Sequence, residues 1–227
     1  EMIWHHKIKK YYEQYVDTFV APSEFMARKL IKHGYDKNKV VVIPNPVAVV
    51  KKTSNGHGKY VGFAGRLSEE KGVDVLLAAA KELPHIAFKI AGSGPDENRL
   101  RAVCAEQKLT NVELVGFKTG AAMQEFLDQA SILVAPSVWY ENAPLSVLEP
   151  MAQGRIVLGS RIGGIPEMLP KEFLFAPGNS TELADKILAW HLAAASERAE
   201  AGKTLQDLAR LRYSPEAHLE QILQVYQ

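Results

Sequence analysis

The chain has 227 residues, of which 47% are hydrophobic and 23% are charged, and its formal net charge is +1. These proportions are typical of a globular protein with one or two domains. A net charge so close to zero provides no global field for nucleic acid, and we predict no nucleic-acid partner. The single cysteine, Cys104, has no disulfide partner within the chain, and the histidines lack metal-ligand spacing. We therefore predict no metal site.

No apolar run reaches the ~18 residues of a membrane span, and no secretory signal is evident. We therefore expect a cytoplasmic location. The basic residues at positions 5–10 (HHKIKK) alternate with apolar neighbours. That pattern favours a solvated helix face and leaves open a peripheral contact with the inner face of a membrane. Because the first residue is Glu1 and not methionine, we expect a fragment of a longer protein.

Apolar periodicity and capping residues divide the first part of the chain into short elements. We predict a helix over residues 3–16, a strand over 18–21, a helix that Ser23 begins and Gly34 ends, and a strand over 40–43. The turn Pro44-Asn45-Pro46 and the polar stretch 51–59 follow. Such a turn is typical of a domain boundary.

Strands and helices are predicted to alternate from Tyr60 onward. The predicted strands are 60–64, 86–91, 112–115, 132–134, 156–159 and 173–175. The predicted helices are 73–83, 95–107, 121–129, a helix between Asn142 and Gly154, 166–169, 181–194, 197–212 and 215–226. This alternation favours an α/β fold, a Rossmann-like doubly wound parallel sheet covered on both faces. Right-handed connections would place all the strand-to-helix loops at one edge of that sheet.

The stretch 131–154, SILVAPSVWYENAPLSVLEPMAQG, has the strongest functional pattern. A buried strand leads through a loop to a helix that Asn142 is predicted to cap, with Pro144 in its first turn. A helix N-terminus at the carboxyl edge of a sheet favours anions. Glu141 precedes the helix, and Glu149 lies roughly 7.5 Å along its axis from Pro144. That spread fits a ligand with an anionic middle and hydroxyl-bearing ends, such as a nucleotide sugar, although spacing alone favours two solvated surface charges.

Three further loops follow predicted strands. Residues 65–72 (GRLSEEKG) offer Arg66 and Lys71 to phosphate oxygens; alternatively these cations pair with the glutamates at 69 and 70. Residues 92–95 (GSGP) and 116–118 (GFK) resemble ordinary tight turns when taken alone. In residues 163–167 (GGIPE), Glu167 lies at a helix N-terminus, and a structural role is at least as plausible as ligand contact.

Together, FAGRLSEEKGVDVLL, GSGP, PSVWYENAPLSVLEPMA and GGIPE resemble, in this order, the motifs of retaining glycosyltransferases with the GT-B fold, family four (group 1). The resemblance implies that a nucleotide diphosphate sugar is the donor substrate, with no cofactor and no metal. It also implies a saccharide or lipid-linked acceptor, bound by a separate N-terminal domain. The implied catalytic residues are Glu141, Arg66 and Lys71. The implied donor-binding residues are Gly65, Arg66, Lys71, Gly92, Gly94, Gly116, Phe117, Glu141, Asn142, Ala143, Pro144, Leu145, Ser146 and Glu149.

The resemblance also implies a domain division. Residues 1–45 would be a remnant of the N-terminal domain with the crossover, 46–212 the nucleotide-sugar-binding domain, and 213–227 a helix crossing back. The chain departs from the family pattern at Pro150, at Arg155 and in the loop 169–178 (LPKEFLFAPG). This donor half alone is expected to be inactive.

Two alternatives remain from the residues. One is a non-catalytic nucleotide-sugar-binding module of the same fold. The other is a different GT-B enzyme, such as a nucleotide-sugar epimerase or a phosphorylase, although no lysine stands in the sequence context expected for pyridoxal phosphate.

Overall fold

The computed structural model describes residues 11–50 and 54–227. The strands are β1 (Phe19–Ala21), β2 (Val40–Val42), β3 (Tyr60–Ala64), β4 (Phe88–Ala91), β5 (Val112–Gly116), β6 (Ala130–Ala135), β7 (Ile156–Ser160) and β8 (Leu174–Phe175). The helices are α1 (Tyr11–Tyr15), α2 (Glu24–Lys32), α3 (Val73–Glu82), α4 (Glu97–Glu106), α5 (Gly120–Gln129), α6 (Leu145–Ala152), α7 (Ile165–Met168), α8 (Ser180–Leu192), α9 (Ala195–Tyr213) and α10 (Pro215–Val225). Short 3-10 turns occupy Lys37–Lys39, Glu69–Lys71 and Lys171–Phe173.

The predicted order of elements is confirmed, with shifts of one or two residues at most ends. Only the end of the helix predicted over 3–16 falls within the described residues, where Tyr11–Tyr15 is helical. The basic stretch 5–10, and with it the peripheral membrane contact, lies outside them.

Six strands form one parallel sheet in the order β5-β4-β3-β6-β7-β8, and β1 and β2 form a separate parallel pair. The chain moves outward from β3 through β4 to β5, returns to β6 beside β3, and continues through β7 to β8. This reversal defines a doubly wound sheet, as predicted, and its switch point lies between β3 and β6. Right-handed connections place α3 and α4 on one face and α5, α6 and α7 on the other.

The central strands are buried on both faces, which explains their continuous apolar sequences. Val61, Ile132 and Val157 are fully buried. Helix α8 packs against α3, and helix α9 packs against α6, so each face of the sheet gains a further helix. The sheet is therefore a rigid platform for the loops at its carboxyl edge.

The predicted cap of α6 is wrong. The N-cap is Pro144, in an extended conformation with φ −68° and ψ 129°, and the helix begins at Leu145. Asn142 lies two residues earlier, and its main-chain oxygen lies against Gly164, on the turn after β7. By contrast, the predicted cap of α2 is confirmed, since the Ser23 hydroxyl accepts a hydrogen bond from the Met26 amide at 3.2 Å.

The C-terminal helix α10 returns toward the turn after β2. His218 Nδ1 lies 2.8 Å from the carbonyl oxygen of Pro44, and the Val47 amide donates to the carbonyl of Tyr213 at 2.7 Å. No residue of α10 is buried. The two predicted domain boundaries, after 45 and after 212, therefore lie next to each other, and the division itself stays a prediction.

Candidate functional site

A cavity of about 410 Å³ opens at the carboxyl ends of the central strands. Four loops surround it, those that follow β3, β4, β5 and β6. The residues of the predicted donor site that line it are Gly65, Arg66, Lys71, Gly92, Phe117, Glu141, Pro144, Leu145, Ser146 and Glu149. Residues separated by up to 84 positions thus meet in one pocket, at the topological switch point where α/β folds bind ligands.

Four predicted residues do not line the cavity: Gly94, Gly116, Asn142 and Ala143. Gly94 lies against the backbone of Leu67, and Ala143 is only 8% exposed and packs into the core. Gly116 has φ +71°, so it serves the turn that follows β5. These residues shape the loops and do not face the cavity.

Sequence reasoning missed the apolar floor of the cavity. Ala64, Ala91, Met123, Leu127, Leu133, Val134 and Pro150 complete its lining. All seven are apolar residues of strands or helices and have the same pattern as core residues. These floor residues differ from core residues only in their position, at a strand end or on a helix that faces the loops.

Lys71 and Glu141 form the central ion pair of the pocket. Lys71 Nζ lies 2.6 Å from Glu141 Oε1, and the two side chains are 27% and 15% exposed. The Ser137 hydroxyl donates to the same carboxylate oxygen at 2.8 Å. Lys71 is therefore paired with Glu141 and not with the neighbouring glutamates, which was the alternative for this loop.

The loop after β3 is packed tightly against the loop after β6. Gly72, at φ +66°, ends the 3-10 turn, and a Cβ there would clash with the carbonyl oxygen of Pro136. The Val138 amide donates to the carbonyl of Glu70 at 3.0 Å. The two loops that carry Lys71 and Glu141 are thereby held together by their backbones as well as by their side chains.

Arg66 is exposed at the rim of the same cavity. The neighbouring Glu70 carboxylate accepts a hydrogen bond from the Ser68 hydroxyl at 2.6 Å. That bond is the main reason why the pKa of Glu70 is lowered, with smaller contributions from the charges of Arg66 and Lys71. The guanidinium of Arg66 thus stands beside the cavity, where it can meet phosphate oxygens in its planar geometry.

Glu149 lies on the second turn of α6 and lines the cavity. Its side chain is exposed, yet desolvation raises the pKa of its carboxyl group. Both facts hold because the residue stands in a concave pocket: water reaches it, while surrounding protein atoms exclude part of its hydration shell. A carboxylate that lacks full hydration is suited to accept hydrogen bonds from ligand hydroxyls.

The turn after β7 supports the loop that carries Glu141. Gly163 has φ +61°, and a Cβ there would clash with the backbone of Glu141. The Gly164 amide donates to the carbonyl of Glu141 at 2.7 Å. Glu167, in α7, directs its carboxylate to the N-terminus of α2, where the amides of Glu24 and Phe25 donate to it at 2.8 and 2.7 Å. The structural role considered for Glu167 is therefore confirmed, on a helix that is distant in sequence.

Two features are absent from the described residues, 11–50 and 54–227. No three His, Cys, Asp or Glu side chains cluster there in a way that would hold a metal ion. In the same ranges, no helix combines the length and apolar character needed to cross a bilayer.

The comparisons with known proteins agree with this architecture. The family described as Glycosyl transferases group 1 matches residues 58–191, and Glycosyltransferase Family 4 matches residues 2–50. The chain therefore belongs to the group 1 glycosyl transferases.

Curated relatives match over most of the chain. It is 28% identical over 182 residues to an uncharacterized glycosyltransferase of Methanocaldococcus jannaschii, covering 79% of this chain and 51% of the relative. It is 31% identical over 197 residues to the putative colanic acid biosynthesis glycosyltransferase WcaL of Escherichia coli, covering 77% and 47%. The chain spans about half the length of these relatives.

Solved structures share the fold. Anabaena HepE, solved in complex with UDP and glucose, superposes with a TM-score of 0.85 at 20% identity, covering 96% of this chain and 64% of that one. Staphylococcus aureus TarM superposes with a TM-score of 0.83 at 24% identity, covering 97% and 46%. The Rossmann-like α/β architecture of GT-B glycosyltransferases, predicted from the sequence, is thus confirmed.

Proposed function

We propose that this chain is the donor-binding half of a retaining GT-B glycosyltransferase, which holds a nucleotide diphosphate sugar while its glycosyl group passes to an acceptor hydroxyl. The observation that carries the proposal is the convergence of Arg66, Lys71, Glu141 and Glu149 on one cavity at the switch point of the sheet. Two cations lie beside two carboxylates there. This arrangement suits a ligand with a diphosphate, which the cations would bind, between two polyhydroxyl groups, which the carboxylates would bind.

In this proposal the diphosphate lies between Arg66, Lys71 and the start of α6. The first amides of a helix have no intrahelical acceptor, so the N–H groups of Leu145 and Ser146 are free to face an anion. Glu149 accepts hydrogen bonds from the ribose hydroxyls, and Glu141 faces the sugar. The apolar floor covers the base and the faces of the rings. The cavity of about 410 Å³ falls within the usual range for a ligand site.

The reaction would proceed by attack of the acceptor hydroxyl on the same face from which the diphosphate leaves. The bond between the anomeric carbon and the phosphate oxygen breaks, and a bond from that carbon to the acceptor oxygen forms. The acceptor proton passes to the departing diphosphate oxygen, and the anomeric configuration is retained. Arg66 and Lys71 neutralise the charge that develops on the diphosphate, so no metal ion and no cofactor are needed.

The acceptor, a saccharide or a lipid-linked saccharide, would be bound by the N-terminal half of the complete protein, in a cytoplasmic setting. The UDP-glucose complex of HepE and the biosynthetic relatives support a nucleotide sugar as donor and a glycan as product. Without the acceptor half, we expect this chain to bind donor nucleotides and to transfer no sugar.

Isothermal titration calorimetry of this chain with UDP, GDP and ADP tests the donor site. We expect binding of at least one diphosphate and much weaker binding of the matching nucleoside, because the cations face the phosphates. The absence of heat with all three diphosphates would refute the donor-site assignment. Transfer of sugar by this chain alone to a supplied acceptor would refute the expectation that transfer requires the N-terminal half.

A further inference from the structure

We infer that Glu167 is a positioning residue for the sugar end of the pocket: its carboxylate joins helix α2 to the turn that holds the main chain of Glu141. The inference rests on the proposed function, because it assigns Glu141 to the sugar. Glu167 itself does not line the cavity.

The carboxylate of Glu167 completes the hydrogen bonding at the N-terminus of α2. It accepts from the Glu24 amide at 2.8 Å and from the Phe25 amide at 2.7 Å, and Arg28 Nη2 lies 3.1 Å from it. The next amide, that of Met26, donates to Ser23 Oγ. All three amides of the first turn therefore have acceptors, two of them on a residue more than 140 positions away. The negative charge also opposes the positive end of the helix dipole.

The backbone of Glu167 is fixed from a third direction. Its carbonyl oxygen accepts from Arg212 Nη1 at 2.9 Å and from the Tyr213 hydroxyl at 3.4 Å, both at the end of α9. Its amide donates to the carbonyl of Gly164 at 3.0 Å. Loss of the contacts between the Glu167 side chain and α2 would thus loosen the Gly163–Gly164 turn on the α2 side, while the backbone contacts of Glu167 with α9 remain.

Gly164 connects this turn to the main chain of Glu141. Its amide donates to the Glu141 carbonyl at 2.7 Å, and a Cβ at Gly164 would clash with the Asn142 carbonyl oxygen. The side chain of Glu141 is held separately, by Lys71 and Ser137. The main chain at Glu141 and Asn142 therefore depends on the Gly163–Gly164 turn, and the turn depends on Glu167. Arg66 lies on the loop after β3, and Glu149 lies on the second turn of α6, seven residues beyond Asn142. We therefore expect the diphosphate and ribose contacts to change less than the contact of Glu141 with the sugar.

The test compares Glu167→Gln with Glu182→Gln. In Glu167→Gln the amide NH₂ would face a backbone N–H donor, so at least one of the two backbone hydrogen bonds is lost. Glu182 is the matched control, because its carboxylate also accepts from a backbone amide, that of Ala176 at 2.8 Å, and lies 3.6 Å from an arginine, Arg161. If Glu167→Gln does not fold, Glu167→Asp replaces it, since aspartate keeps the charge and shortens the side chain by one methylene.

Two measurements separate this inference from the proposed function. The first is hydrogen–deuterium exchange of the peptide that covers residues 161–169, without any ligand. We expect the protected amide of Gly164 to exchange about tenfold faster in Glu167→Gln and at the parental rate in Glu182→Gln. The second is the ratio of the UDP-glucose and UDP affinities, or of the corresponding guanosine or adenosine pair if UDP gives no heat. We expect this ratio to fall about fivefold in Glu167→Gln, with the affinity for the bare diphosphate changed less than about twofold.

Each outcome bears on a distinct statement. If the parent binds no nucleotide, the proposed function fails, and exchange at Gly164 still tests the connection. Unchanged exchange in Glu167→Gln would refute the connection itself. Faster exchange with an unchanged sugar contribution would show that Glu167 anchors α2 without positioning Glu141. Equal changes in Glu182→Gln would indicate general destabilisation and would refute a specific role.

Discussion

Glu141→Gln should tighten the binding of a bare nucleoside diphosphate, although the residue is proposed to serve the reaction. In the unliganded pocket Lys71 Nζ lies 2.6 Å from Glu141 Oε1, and the Glu141 side chain is only 15% exposed. A diphosphate that binds Lys71 must share the ammonium group with this carboxylate, and the two anions repel each other. Glutamine keeps the size of the side chain and the acceptor oxygen for Ser137 while removing the negative charge.

The magnitude follows from the ion-pair geometry. A phosphate oxygen about 2.8 Å from Lys71 Nζ would lie roughly 5 Å from the Glu141 carboxylate. At an effective dielectric constant of about 20, two unit charges at that separation repel by about 3 kcal/mol. The cavity is open to water, so screening reduces the gain on removing the charge to about 1 kcal/mol. That value corresponds to roughly fivefold tighter binding of UDP.

Calorimetry with UDP on the parent and three variants measures this effect. Glu113→Gln is the matched control, because Glu113 pairs with Lys89 at 2.9 Å and lies outside the cavity; its UDP affinity should equal that of the parent. Lys71→Gln should bind UDP about ten- to a hundredfold more weakly. If Glu141→Gln weakens UDP binding as much as Lys71→Gln does, the carboxylate is needed to hold the lysine in place, and the carboxylate and the diphosphate do not compete for Lys71. For UDP-glucose, Glu141→Gln should lose the affinity that the sugar adds.

Three further predictions concern the pocket and the turn that supports it. Arg66→Ala should weaken UDP binding by roughly 1.5–3 kcal/mol and leave uridine binding unchanged, as calorimetry with both ligands would show; an equal loss for uridine would make Arg66 structural. Glu149→Gln should weaken UDP binding by a similar amount but not the binding of its 2′,3′-dideoxy analogue, whereas equal losses would remove the ribose assignment. Gly163→Ala should lower the melting temperature measured by circular dichroism, because its Cβ would clash with the Glu141 backbone; an unchanged value would show that the turn adapts freely.

The sequence was sufficient to predict the sheet and the loops at its edge. Alternating apolar runs and helical periods identify the strands and helices, and the rule of right-handed connections gathers their loops at one edge. The resemblance to family-four glycosyltransferases then assigned Arg66, Lys71 and Glu149 to one site at that edge before their contacts were known. The apolar floor could not be predicted, because Leu133 and its neighbours have the same pattern as residues that face only the core.

Pairwise contacts between loops could not be predicted either. The pairing of Lys71 with Glu141 and not with Glu70 depends on how the loops after β3 and β6 pack, which is a tertiary property. The start of α6 at Leu145 has the same origin, because Asn142 lies against the Gly163–Gly164 turn and is unavailable as a cap. Likewise Glu167 caps a helix that lies more than 140 residues earlier in the chain, and no local signal identifies such a partner.

The two glutamates of the pocket differ in how the unliganded protein accommodates their charge. Glu141 has a lysine and a hydroxyl as partners, whereas desolvation raises the pKa of Glu149. A raised folded-state pKa means that this carboxyl group contributes stability below its ordinary pKa, and the contribution is lost as the pH rises through the raised value. At neutral pH the ionised Glu149 therefore destabilises the empty protein. In the proposed complex, hydrogen bonds from ribose hydroxyls would replace the missing hydration, so part of the binding free energy would come from relief of this destabilisation. Glu149→Gln should therefore make the empty protein more heat-stable at neutral pH but not in acid.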